Sequence, residues 1–160
     1  MNVKILGSLA AMALLAACTT PDATTGTTTG NGNIAGTTGS VTPGSQEDLV
    51  ANVGDRVFFD YNRNGLLPEG RATLDRQAAW MGKYAQNNVQ LAGNCDERGT
   101  EEYNIALGQR RASAARDYLV AKGVSSARIT TISFGKDRPV ALGSNEQAYG
   151  QNRNAITSIR

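Results

Sequence analysis

Beyond residue 55 the spacing of apolar positions switches back and forth between a strand-like and a helix-like period. Arg56-Val57-Phe58-Phe59-Asp60 is a short apolar run and reads as a strand. Tyr61 to Leu67 holds Asn62, Asn64 and Gly65 and reads as a loop. Pro68 suits a first helical position and Glu69 a first turn. Leu74, Ala78, Met81 and Ala85 then recur at helical spacing, which predicts a helix over Pro68–Gln86, ended by Asn87-Asn88. Val89 to Gly93 alternates as a second strand. Glu101 to Lys122, rich in Ala, Leu, Arg and Gln and closed by Gly123, predicts a second helix. Ile129 to Phe134 is a third strand, followed by the turn Gly135 to Pro139. Ser144 to Gln151 is a loop or short helix, and Ala155 to Ile159 alternates as a last strand. Strands alternating with helices imply βαβ units, with the helices stacked on a small sheet.

Upstream of this region the pattern is different. Met1 to Lys4 carry one positive charge, and Ile5 to Ala17 form an apolar run too short to span a bilayer. That is the layout of a secretory signal peptide, expected over 1–17. From Thr19 to about Ser45 the chain is Thr, Gly, Asn and Ser, and only Ile34 and Val41 could seed a core. Such a segment cannot offset its ordering entropy, so 18–46 is expected to be a disordered tether and 47–160 the folded domain. A tether of roughly 27 residues has a typical end-to-end distance of about 30 Å and spans about 90 Å when extended.

Composition narrows the chemistry. There is no histidine, which excludes Ser-His and Cys-His nucleophilic sites and removes the commonest transition-metal ligand. Cys18 and Cys95 are the only thiols, so no zinc cluster can be built from paired cysteines. A net charge of +2 is too small to argue for nucleic acid as a partner. Asp96 and Glu97 are adjacent, so their carboxylates need not converge as glycosidase chemistry demands. No metal site and no cofactor is expected.

On the second helix, Asn104, Leu107, Gly108, Arg111, Ala115 and Leu119 share one face at 100° per residue. Arg111 therefore turns toward the sheet while Arg110 points elsewhere. An inward arginine needs a carboxylate partner or an anionic ligand. Gly108, one turn earlier, could open space for that ligand. The candidate partner is Asp96, between the end of a strand and the start of this helix, where ligands tend to bind in open α/β sheets. A carboxylate and a guanidinium held apart would receive a zwitterion. A plain Asp96–Arg111 ion pair, or Asp96 capping the helix, would satisfy the same residues.

Two resemblances go further. Leu15-Ala16-Ala17-Cys18 resembles the bacterial lipobox, which implies cleavage before Cys18, a covalent lipid on its sulfur and an acylated amino group. Thr19, where aspartate would mark inner-membrane retention, favours the outer membrane. Asn104 to Leu119 resembles the signature helix of OmpA-like domains. Gly93 to Asn104, Ser133 to Pro139, Val57 to Asp60 and Gln151 to Ala155 are similar to the version in the peptidoglycan-associated lipoprotein family. The implied fold is α+β, OmpA-like: a βαβαβ-type sandwich with helices on a small mixed four-stranded sheet. The implied ligand is peptidoglycan, at the meso-diaminopimelate of the stem peptide. Asp96 would receive the ammonium and Arg111 the carboxylate. Leu107 would line the pocket, Asn104 would hydrogen-bond or brace the loop, and Asp60 would help close the site with neighbouring backbone amides. The family also implies TolB and other Tol-Pal components as partners, meeting the domain around Glu97 to Tyr103. It implies roles in envelope integrity and in outer-membrane invagination at division, without catalysis. A lipoprotein interaction module that does not bind the wall is the alternative.

Overall fold

The computed structural model describes residues 41–160. The expected signal peptide, Cys18 and most of the expected tether lie outside the described residues. Among the described residues no helix is long and apolar enough to cross a membrane.

The chain is already tied into the fold at Gly44, inside the segment expected as tether. Ser45 caps α1 (Gln46–Asp48), which runs on into a π-helical turn, Leu49–Val53. Eight residues are too few to show a period, so the sequence pattern carries no sign of it. Tertiary contacts hold it instead. Leu49 is fully buried, and the Asp48 carboxylate accepts from Gly44 N at 2.7 Å, Asn52 Nδ2 at 2.7 Å and Trp80 Nε1 at 2.8 Å.

Strand β1 (Arg56–Phe58) is followed by α2 (Pro68–Lys83), β2 (Val89–Asn94), α3 (Glu101–Ala121), β3 (Ile129–Gly135), α4 (Glu146–Asn152) and β4 (Asn154–Ile159). The sheet is mixed, in the order β1-β4-β2-β3. β4 runs antiparallel to both of its neighbours, while β2 and β3 are parallel in the register Val89↔Ile129. β1, β2 and β3 thus run the same way, and β4 is inserted between the first two. The β2-α3-β3 crossover is the βαβ unit expected from the pattern.

Helices α2 and α3 cover one face of the sheet, where Leu74, Met81, Val89, Leu91, Ala115, Leu119 and Ile129 form the core. All six residues assigned to the inner face of α3 are buried, with Ala112 in addition, and Arg110 is exposed. Helix α2 ends at Lys83 rather than Gln86, and Ala85 is exposed instead of continuing the apolar stripe. The reason is distant in sequence. Arg128, in a 3₁₀ turn before β3, donates to the carbonyls of Met81 at 3.1 Å, Tyr84 at 3.0 Å and Asn87 at 2.7 Å. It takes over the acceptors that a longer helix would have used.

Gly108 opens no space for a ligand, contrary to the expectation from sequence. It lets α3 touch the sheet. A Cβ at Gly93 would lie 1.8 Å from the Gly108 carbonyl oxygen, and one at Gly108 would lie 2.3 Å from Ser133 Oγ. This contact sets how deeply the next turn of α3, with Arg111, sinks toward the end of β2. Gly93→Ala or Gly108→Ala should therefore lower unfolding free energy by at least about 2 kcal/mol in urea titrations. Gly82→Ala, where a Cβ meets open space, should instead raise it by about 0.4–1 kcal/mol.

Candidate functional site

The site forms where β2 runs out. The β2–β3 register shifts between Gly93 and Asn94, and Cys95 N donates to Gly135 O at 2.7 Å. This irregularity leads into a loop, Cys95 to Thr100, that lies across the first turns of α3. Thr100 caps α3 by accepting from Tyr103 N at 3.3 Å, so Asp96 is not the helix cap. Asn104 Nδ2 donates to the carbonyls of Arg98 at 2.9 Å and Thr100 at 3.1 Å, which braces the loop.

Arg111 is 1% exposed. Its Nε donates to Arg63 O at 2.9 Å, Nη1 to Asn94 O at 2.8 Å and to Cys95 Sγ at 3.3 Å, and Nη2 to Asp60 O at 3.1 Å. The Phe59 ring lies 5.3 Å from the guanidinium. All of these acceptors are neutral. The expected carboxylate partner is absent, because three carbonyl dipoles from two chain segments converge on the cation instead. Asn62 turns the loop after β1 with a φ of 55°, a conformation that asparagine tolerates. Burial pulls the arginine's pKa down, with the neighbouring Cys95 and Asp96 opposing it. An arginine remains charged in any case.

Asp96 is 4% exposed and does not touch Arg111. Its Oδ1 accepts from the main-chain N of Arg98 at 3.1 Å and from Arg98 Nε at 3.2 Å. Its Oδ2 accepts from Arg98 Nη2 at 2.8 Å and Arg153 Nη1 at 3.3 Å. The simple Asp96–Arg111 ion pair is thus not formed. Burial pushes the carboxyl up, but the Arg98 and Arg153 hydrogen bonds outweigh it and hold it below the usual range.

Between the two charges is a cavity of about 90 Å³, lined by Tyr61, Cys95, Asp96, Arg98, Leu107 and Arg111 among others. Leu107 stands in its wall. Asp60 is exposed as a residue, and its carbonyl meets the site by accepting from Arg111 Nη2. The Cys95 thiol is buried beneath the cavity, donates to Asn104 O at 3.4 Å and has its pKa pushed up by burial, so it is a packing group. Among the described residues no cluster could hold a metal ion.

Sequence reasoning assigned Arg98 no role beyond the partner-facing stretch Glu97 to Tyr103, and it assigned Arg153 none. In the structure Arg98 stacks between the rings of Tyr61 at 4.1 Å and Tyr149 at 4.3 Å. Arg153 also donates to Phe59 O at 3.1 Å and pairs with Glu146 at 2.8 Å. Tyr61, Arg98 and Tyr149 are far apart along the chain, and no local pattern joins them.

Comparison with known proteins decides the family. The model of the OmpA family matches residues 58–154. A relative from Rhizobium meliloti (strain 1021), named peptidoglycan-associated lipoprotein, is 51% identical over 121 residues, 76% of this chain and 69% of that one. The chain belongs to the OmpA family and, within it, to the peptidoglycan-associated lipoproteins. The crystal structure of the peptidoglycan-associated lipoprotein from Burkholderia pseudomallei superposes with a TM-score of 0.66 at 36% identity, covering 71% of this chain and 100% of that one. The C-terminal domain of Helicobacter pylori MotB, at 17% identity, covers 66% of this chain and 84% of that one. Its TM-score of 0.62 shows the shared OmpA-family fold.

The geometry makes Arg111 a structural group as well as a candidate ligand. Arg111→Ala leaves the carbonyls of Asp60, Arg63 and Asn94 short of a donor. It should reduce stability by about 2–4 kcal/mol in chemical denaturation while leaving a cooperative transition. Asp96 gives a pH dependence of defined sign. Its folded pKa lies below its unfolded value, so its stabilisation is present above about pH 4 and fades as pH falls through the lowered folded value. Thermal melts of Asp96→Asn should accordingly lose less stability than wild type on acidification from about pH 5 to about pH 2.

Proposed function

We propose that this chain is an outer-membrane lipoprotein whose domain binds peptidoglycan non-covalently at the meso-diaminopimelate of the stem peptide. One observation carries this reading: a fully buried guanidinium with only neutral acceptors stands at the wall of a small cavity, with a buried carboxylate across it. The side-chain end of diaminopimelate presents one carboxylate and one ammonium on the same carbon. Arg111 would take the carboxylate and Asp96 the ammonium. Leu107 would meet the methylene chain, and Asn104 would hold the loop that presents Asp96. The domain is a binding module and performs no chemistry on the wall.

The remaining assignments rest on the family and on the sequence. Lipidation of Cys18 would hold the membrane. Residues 19 to about 43 would give reach, and the site would hold the wall from the periplasm. Membership of the Tol-Pal system, with TolB as a partner, agrees with the exposed side chains of Glu97, Glu101, Glu102 and Tyr103, the last of which lines the cavity. Such a link between membrane and wall would support envelope integrity and the drawing-in of the outer membrane at division.

Co-sedimentation with purified cell-wall sacculi tests the reading. Wild-type domain should pellet with sacculi and release no fragments from them. Asp96→Asn and Arg111→Lys, each folded by circular dichroism, should lose binding by about tenfold or more: the first removes the charge that would meet the ammonium, and the second keeps its charge but loses the bidentate guanidinium geometry. A domain that stays in the supernatant would instead be an interaction module without wall binding.

A further inference from the structure

Asp96 has no acceptor capacity left. A carboxylate offers about four lone-pair sites. Here the main-chain N, Nε and Nη2 of Arg98 and Nη1 of Arg153 fill them, at 3.1, 3.2, 2.8 and 3.3 Å. On the reading proposed above, a ligand ammonium comes to this same carboxylate. It would be a further donor on a full acceptor, so one donor has to leave.

The candidates differ in how firmly they are held. The main-chain N–H belongs to the loop that Asn104 braces. The Arg153 side chain is 11% exposed and is also fixed by Phe59 O and by Glu146 at 2.8 Å. The Arg98 side chain is 34% exposed, lines the cavity, and is otherwise kept by two tyrosine ring faces and by Glu146 at 3.6 Å. Arg98 can leave without uncovering a buried group other than Asp96 itself.

We propose that the Arg98 guanidinium occupies the ammonium subsite of the free domain and is exchanged for the ammonium of the ligand. Arg98 is then a specificity-determining latch. The exchange replaces one cation by another, so Asp96 is never a buried charge without a partner. A ligand with a carboxylate for Arg111 but no ammonium leaves the latch shut and gains nothing from Asp96. The released guanidinium swings toward solvent on the Glu146 side.

The test uses two soluble stem peptides, one with meso-diaminopimelate and one with 2-aminopimelate in its place. The second keeps the terminal carboxylate and lacks the terminal amine. By calorimetry, Arg98→Ala should bind the diaminopimelate peptide roughly three- to tenfold tighter than wild type, the scale of one part-exposed ion pair with its ring contacts. Its affinity for the aminopimelate peptide should be unchanged. In wild-type protein the Arg98 Nε–H resonance should shift on saturation with the first peptide and stay put with the second. If Arg98→Ala is not tighter, or weaker because Asp96 is misplaced, the latch is wrong while the wall-binding reading stands. If the variant does not fold, the wild-type resonance decides, and a signal unmoved at saturation overturns the latch. If wild type binds neither peptide, the proposed function fails and the latch with it.

Discussion

Arg111 is a cation buried without an anion, and much of the domain is arranged around that fact. Its planar guanidinium donates in fixed directions to Asp60 O, Arg63 O and Asn94 O. These acceptors come from the loop after β1 and the end of β2, while the donor comes from the middle of α3. A lysine would bring the same charge, but it could not reach acceptors in several directions within one plane. The close approach of α3 to the sheet through Gly93 and Gly108 places the guanidinium at the depth where those carbonyls converge. The result is a positive centre that is hydrogen-bonded yet electrostatically uncompensated.

Asp96 is the opposite pole, and the two do not pair. Had they done so, each would have quenched the other and the cavity between them would offer little to a charged ligand. Arg98 from the loop and Arg153 from the end of α4 hold the carboxylate instead. Glu146 forms ion pairs with both arginines, which keeps the surroundings balanced. Separation of the poles is what suits the site to a group carrying both charges, and membership of the peptidoglycan-associated lipoproteins points to the wall as its source. The carboxylate is nonetheless fully engaged in the free domain, so on the proposed reading recognition at that pole would be an exchange of donors.

Much of this was legible in the order of residues. The 3.6-residue period placed Arg111 on the inner face of α3 and Arg110 outside, and both assignments hold. Helical phase is a local property that burial of one face enforces, so it survives into the tertiary structure. Pro68 at the start of α2 and Gly123 after α3 marked boundaries for the same local reason. The strands were found wherever one face of the sheet is buried. The opening turn Gln46–Val53 escaped notice, being too short to have a period. The end of α2 was misplaced because Arg128, far along the chain, takes its last carbonyls.

By itself the sequence determined the alternation of strands and helices, the inward face of α3 and the nearness of Asp96 to the start of that helix. Its signature blocks also identified the family. Only the tertiary structure decided what each charge touches. Arg111 lies on carbonyls rather than on Asp96, Asp96 lies on Arg98 and Arg153, and Gly108 is a contact rather than a gap. Periodicity constrains the direction of a side chain, which is set by neighbouring residues. The partner it meets is set by packing of segments distant along the chain, and that is decided by the fold as a whole.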